Sequence, residues 1–399
     1  MANTLNFGNG KWGVQDGLAL AYNDENNNFK PLPFDFTRDS IGTYVDRDGL
    51  IKTASNNVPR VDFTDSTDGA LLLEPARTNL MPYSTLAFNG GSIPTGYTIG
   101  FGTGTYSYEE LTYKGQGAVK QTQSTTGRSY IDAGVFTLSA GVTYTFRMEI
   151  DLANTSASSS TIIMGFNGFE TNITKTIADV DSNGILEFDF AFNTDATGNI
   201  RIGLGSFGDA SGGQYITWGM PQVEQGSYAT SYIPTSGSTV ERVAETCSQT
   251  PTTGIIGQTE GVLYAEISAN ETSNAVSQRT ISLSDATNAN RMYISFDDEY
   301  NKLNILIILG DIPVINSDVD ISNQNVFNKI AIKYKSGDTS VYVNGSLVQS
   351  SADTFSVGNL NILKFNNRGN GSYFYGNCKD LKLYNTALTN AELAKLTTT

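Results

Sequence analysis

Ser340-Val-Tyr-Val-Asn-Gly-Ser-Leu-Val348 reads as a strand, a two-residue turn and a returning strand. Asn-Gly supplies the positive φ angles of a hairpin turn whose twist matches the strands it joins. The same grammar recurs outward along the chain, at Asn9-Gly10, Asp48-Gly49 and Asn183-Gly184. Between such turns, Thr143-Tyr-Thr-Phe-Arg-Met-Glu-Ile150 and Ile185-Leu-Glu-Phe-Asp-Phe-Ala-Phe192 alternate apolar and polar residues. That period of two describes sheets with one wet face, and hence sandwiches. The chain has 40 Gly, 20 Tyr and 20 Phe in 399 residues, and its helix formers are sparse, so the fold class is all-β. One helix is predicted, from Ala391 to about Leu396. Thr389-Asn-Ala-Glu392 forms a capping box there, and Leu388 and Leu393 occupy the positions of a hydrophobic staple. No repeat of 20–50 residues is present, which argues against solenoids and propellers.

Composition narrows the function. Lys+Arg 25 against Asp+Glu 40 leaves a net charge of −15. Binding to nucleic-acid phosphates or to an anionic membrane surface needs a basic face, and this balance opposes one. With no histidine, catalytic triads, Cys-His dyads and imidazole metal sites are excluded. Cys247 and Cys378 can form at most one disulfide, so packing must hold the core; both are read as free thiols. The N-terminus lacks the pattern of a signal peptide, and the longest apolar run, Ile305 to Leu309, is too short to span a bilayer. Composition shifts predict an irregular segment over 1–80, a first sandwich over 81–242 and a second over 243–399.

Several motifs invite chemistry. Gly203-Leu-Gly-Ser-Phe-Gly208 matches a dinucleotide-binding fingerprint, but strand-like and loop-like residues follow where a helix is required, so it reads as a glycine-rich turn. Glu149-Ile-Asp151 begins the Glu-x-Asp-x-x-Glu strand of retaining glucanases, yet Asn154 stands at the acid/base position and leaves no proton donor. The expectation is two solvent-facing carboxylates. Asp297-Asp298-Glu299 offers oxygen ligands for Ca²⁺ but no ligand-loop spacing, so a solvated turn is expected and no cofactor is called for. Tyr106, Tyr108, Tyr113 and Tyr130 are the candidate sugar-stacking residues, because aromatic faces pack on pyranose rings. Trp218 alternates with Ile216 and Met220 in a row expected to face a core.

Three stretches carry a family resemblance. Phe34-Asp-Phe-Thr-Arg-Asp-Ser-Ile-Gly-Thr-Tyr-Val-Asp-Arg-Asp-Gly-Leu-Ile51, continued through Asn57–Asp62 and Leu71–Leu80, resembles a segment of tailed-bacteriophage structural proteins that precedes carbohydrate-binding-like modules. Trp218 to Val240 is similar to the closing strand and exit loop of those modules. Ile330–Tyr334, Val341–Gly345 and Leu381–Glu392 are similar to the end of concanavalin A-like, laminin-G-like jelly rolls. The resemblance implies two tandem jelly-roll sandwiches in a non-enzymatic virion surface protein, a fibre or other appendage, that engages glycans. Its implied partners are other virion proteins and sister subunits, with a trimer favoured. A purely structural connector is the alternative, and a carboxylate depolymerase using Glu149 and Asp151 is a third reading. In the first segment Arg38, Arg60, Glu74 and Arg77 punctuate apolar stretches, and they are expected to anchor the protein to a partner or to complete the neighbouring sandwich.

Overall fold

The computed structural model describes residues 3–23, 30–205, 207–250, 254–269, 279–367 and 371–398. Apart from short 3₁₀ turns and one C-terminal helix, these residues form antiparallel strands and their connections, in jelly-roll sandwiches. The chain divides into two compact units: residues 1–49, 53–75 and 243–399 in the first, residues 50–52 and 76–242 in the second.

In the first unit the strand Gly376–Tyr384 lies between Glu260–Ser268 on one side and Leu5–Gly8 and Ala70–Leu73 on the other. Asn328–Lys335, Thr339–Val343 and Ser346–Ser351 continue this sheet. A second run of strands passes from Leu18–Asn23 through Lys30–Thr37, Thr246–Gln249, Ile362–Lys364 and Arg279–Ser284 to Arg291–Phe296, Lys302–Leu309 and Ile312–Asp320. Leu5, Phe7, Phe34, Phe36, Leu71 and Leu73 are buried in the same core as Leu263, Ile281, Leu381 and Leu383. The segment 1–80 is therefore not a separate arm. Its strands Leu5–Gly8, Leu18–Asn23, Lys30–Thr37 and Ala70–Leu73 join the C-terminal jelly roll because their apolar residues complete that core, whereas Arg77–Asn79 pairs with Val240–Arg242 in the second unit. The expected boundary at 80 therefore does not divide the chain, while 243 is where the chain re-enters the first unit.

The second unit packs a sheet containing Thr98–Gly102, Ser129–Asp132, Ala196–Leu204, Ile162–Asn167 and Thr174–Thr176 against a five-stranded sheet. The latter is ordered Tyr106–Tyr113, Gln116–Gln123, Gln214–Gln225, Tyr144–Ile150 and Ile185–Phe190. Ile216 and Trp218 face its core as expected, and the Trp218 indole donates to Gln121 Oε1 at 2.8 Å. Met220 leaves the row, because φ of 53° places it where the register with Tyr144–Ile150 shifts. The strand Tyr144–Ile150 also lacks the wet face its alternation predicts. Thr145 and Glu149 are buried there, Thr145 donating to the Gly226 carbonyl at 2.8 Å.

The local signals are met. Asn344 and Gly345 have φ of 48° and 85°, and Asn9 and Gly10 have 54° and 76°; in Asp48-Gly49 and Asn183-Gly184 only the glycine is left-handed. The helix runs Asn390–Thr397 with both halves of its capping box formed. Leu388 and Leu393 bury themselves with Tyr264, Tyr342 and Tyr384, and full burial of one leucine is worth about 1.5–3 kcal/mol. Among the described residues, no helix is long and apolar enough to cross a membrane.

Candidate functional site

In the first unit, a cleft of about 660 Å³ opens between the turn after Leu5–Gly8 and the chain from Tyr44 to Phe63. Its floor is the buried Ala54, Pro59 and Val61; Trp12, Tyr44 and Phe63 are half-buried in its walls. Asp46, Arg47, Asp48, Thr53 and Ser55 supply its polar groups. The Asn9-Gly10 turn brings Trp12 into place. Its indole Nε1 donates to the Asp68 carbonyl at 2.8 Å, and its ring stands edge-on to Phe7 at 5.6 Å between centroids and 86° between planes. Gly8, at φ of 86°, allows this approach, since a Cβ there would lie 2.8 Å from the indole.

The opposite wall is fixed by its own hydrogen bonds. The Val45 amide donates to Asp62 Oδ2 at 2.7 Å, and the Phe63 amide to the Val45 carbonyl at 3.0 Å. Asp46 closes the tip, accepting from the amide of Asp48 on Oδ1 at 2.9 Å and from that of Gly49 on its carbonyl at 3.0 Å. Arg47 lays its guanidinium over the Phe63 ring at 5.0 Å. Among the described residues it makes no ion pair. Aromatic walls with a few fixed polar groups are the composition of a small-molecule site.

The four candidate tyrosines do not form an exposed platform. Tyr130 is 4% exposed, with the Arg201 guanidinium 5.1 Å from its ring. Tyr106 and Tyr108 meet edge-on at 5.7 Å, Tyr108 packs on the core, and burial pushes its hydroxyl pKa up. Tyr113 belongs to a different cluster, with Lys114 stacked at 5.4 Å. Lys114 Nζ in turn reaches Glu149 Oε2 at 2.7 Å, and Arg147 bridges Glu149 at 3.3 Å and Glu187 at 3.4 Å. Glu149, expected to face solvent, is 6% exposed and doubly paired. Asp151 accepts from the Asn154 amide at 3.2 Å and caps the 3₁₀ turn Leu152–Asn154. Glu149 is thus an ion-pair partner and Asp151 a cap.

The charged residues expected to anchor the chain also turn inward. Arg38 and Arg60 are fully buried around Glu245, at 2.7 and 2.5 Å, and Arg60 pairs with Glu74 at 2.8 Å. For Arg38, Arg60 and Glu74 the partner is thus inside the unit. Arg77 lies in the second unit, its guanidinium 5.4 Å from the Tyr228 ring. Asp297–Glu299 forms an exposed turn, with Glu299 paired to Lys302 at 2.7 Å. Among the described residues no three acidic or cysteine side chains converge on a metal position. Cys247 and Cys378 are buried and unbridged. After the strand Ala196–Leu204 no helix follows among the described residues, as the turn reading requires; residue 206 of that motif lies outside the described residues.

The strands that end in the capped helix have a known counterpart. Residues 267–394 match the concanavalin A-like lectin/glucanases superfamily. This concanavalin A-like stretch lies within the jelly roll of the first unit, whose N-terminal strands carry the cleft. In structure the chain is similar to the carbohydrate-binding domain CBM40 of Ruminococcus gnavus IT-sialidase bound to α2,3-sialyllactose, at 17% identity and TM-score 0.30, over 36% of this chain and 84% of that one. It is also similar to domains LG4-5 of the mouse laminin α1 chain, at 9% identity and TM-score 0.27, over 68% and 88%. The botulinum neurotoxin serotype G binding domain is a further similar structure, at 14% identity and TM-score 0.31, over 38% and 39%. Among curated proteins, none matches the chain.

Sequence reasoning missed the cleft. Trp12 is one of two tryptophans, placed just past an Asn-Gly turn, and that pairing was the available signal. Tyr44, Arg47 and Phe63 carry no local pattern that marks them.

Proposed function

We propose that this protein is a non-enzymatic glycan-binding protein of a virion surface, and that the Trp12–Tyr44–Phe63 cleft holds the sugar. The observation that carries the reading is the pairing of a locked indole wall with the polar tip Asp46-Arg47-Asp48. Aromatic faces accept the apolar side of a pyranose, while mixed donors and acceptors meet its hydroxyls. The lectin/glucanase match of the same jelly roll supports a saccharide over other small molecules. Placement on a bacteriophage particle, as a fibre or other appendage, is supported by the resemblance of residues 34–80 to phage structural proteins. Assembly into an oligomer, a trimer by analogy with fibres, draws support from Ile99, Phe101 and Val135, which are 47%, 48% and 68% exposed.

Glycan-array screening of the full chain, followed by calorimetry and product analysis, tests this. The expected result is saturable binding without product, weakened at least tenfold by Trp12→Ala. Cleaved product would overturn the non-enzymatic reading, and unchanged affinity in Trp12→Ala would move the site elsewhere.

A further inference from the structure

We infer that the cleft selects uncharged sugars and discriminates against uronate- or sialate-bearing ones; this rests on the glycan-binding reading above. Part of the cleft's hydrogen-bonding capacity is already committed. The Trp12 N–H is committed to the Asp68 carbonyl, so the indole meets a ligand as a face and not as a donor. Asp46 Oδ1 is held by the Asp48 amide. Arg47 is the one cation lining the cleft among the described residues, and its sequence neighbours Asp46 and Asp48 line it too.

The Arg47 guanidinium lies over the Phe63 ring, 5.0 Å from its centroid, and presents a fork of N–H donors at the cleft. A carboxylate on a sugar would gain from that fork. It would also enter beside Asp46 and Asp48, on a chain with net charge −15. Like-charge juxtaposition of this kind acts against a partner at every approach distance shorter than the Debye length, about 8 Å at physiological salt. A sugar hydroxyl, by contrast, donates and accepts at once. It can give its proton to an aspartate oxygen and receive one from Arg47, and the hydroxyls of Thr53, Ser55 and Tyr44 match the same double role. The mixture of one cation and two anions around apolar walls is therefore complementary to a neutral polyol and mismatched to an anion.

The test is calorimetry of the full chain against two probe sets at 50 and 300 mM NaCl. The neutral set is maltopentaose, laminaripentaose, xylopentaose and chitopentaose. The anionic set is oligogalacturonate and 3′-sialyllactose. The inference expects at least one neutral probe to bind with affinity that changes less than twofold between the two salts, and both anionic probes to bind at least tenfold more weakly. Arg47→Gln should then weaken the neutral probe several-fold at both salts equally. If an anionic probe binds more tightly, loses affinity at 300 mM salt and is abolished by Arg47→Gln, the neutral preference is overturned while the glycan site stands. If no probe in either set binds, and Trp12 fluorescence is unchanged by all six, the glycan reading falls and takes this inference with it.

Discussion

Glu245 is the residue whose loss the first unit should tolerate least. Its side chain is fully buried and receives four hydrogen bonds: from Arg38 Nη1 at 2.7 Å, from Arg60 Nε at 2.9 Å and Nη2 at 2.5 Å, and from the Glu74 amide at 2.8 Å. Burial works to lower the Arg60 pKa, and the carboxylates of Glu245 and Glu74 outweigh it, leaving the guanidinium more firmly charged than usual. Glu245→Ala removes this carboxylate from both buried arginines at once, leaving Glu74 beside Arg60. Removing one partner from a buried pair costs about 3–5 kcal/mol, a large part of the roughly 5–15 kcal/mol that holds a domain folded. The two tryptophans allow the effect to be localised, because Trp12 lies in the first unit and Trp218 in the second. Urea unfolding of Trp218→Phe reports the first unit, and of Trp12→Phe the second. Adding Glu245→Ala should lower the Trp12 midpoint by roughly 1–2 M, given slopes of about 2–3 kcal/mol/M, and leave the Trp218 midpoint in place. A Trp12 shift below about 0.3 M, or an equal shift of both, would refute the reasoning.

Two further outcomes follow from single groups. Burial pushes the Asp380 carboxyl up to about 6, with Lys382 pulling it the other way. The folded state thus holds the proton more tightly than the unfolded chain, whose carboxyl titrates near 4, so stability is lost as pH rises from about 4 to about 6. Asp380→Asn stays neutral and should gain about 3 kcal/mol on the wild type across that window; a difference constant with pH, read by urea unfolding, would count against it. At the C-terminus, Thr389 Oγ1 accepts from the Glu392 amide at 3.3 Å and Glu392 Oε2 accepts from the Thr389 amide at 2.8 Å. Thr389→Ala should destabilise the first unit by about 1 kcal/mol, and Thr389→Ser should restore most of it; equal midpoints for all three on the Trp12 signal would show the cap to be idle.

Sequence alone made visible what neighbours in sequence decide, and obscured what distant segments decide together. Asn344-Gly345 and the Thr389–Glu392 box are local devices, and both stand where they were expected. Tyr130 shows why a tyrosine is ambiguous in sequence: a ring that can stack on a sugar fits equally well between strands, where this one is buried. Arg38 and Arg60 were legible as unusual charges in apolar surroundings, but their shared partner lies 207 and 185 residues away. Nothing local could indicate that it was Glu245 and not another protein. That displaced partner also explains how the cleft is held. Arg38 Nη2 donates to the Ser55 carbonyl at 2.7 Å, and Arg60 Nη1 to the Thr43 carbonyl at 2.8 Å. Ser55 lines the cleft, Thr43 precedes Tyr44, and Arg60 sits between the floor residues Pro59 and Val61. The ion network therefore fixes the backbone from which the wall and floor of the cleft project. Charges that resemble anchoring residues are instead the frame of this cleft. Their carboxylate comes from the strand-to-strand passage at the start of the C-terminal jelly roll, so the cleft's frame is complete only once the chain around Glu245 has folded onto residues 38–60.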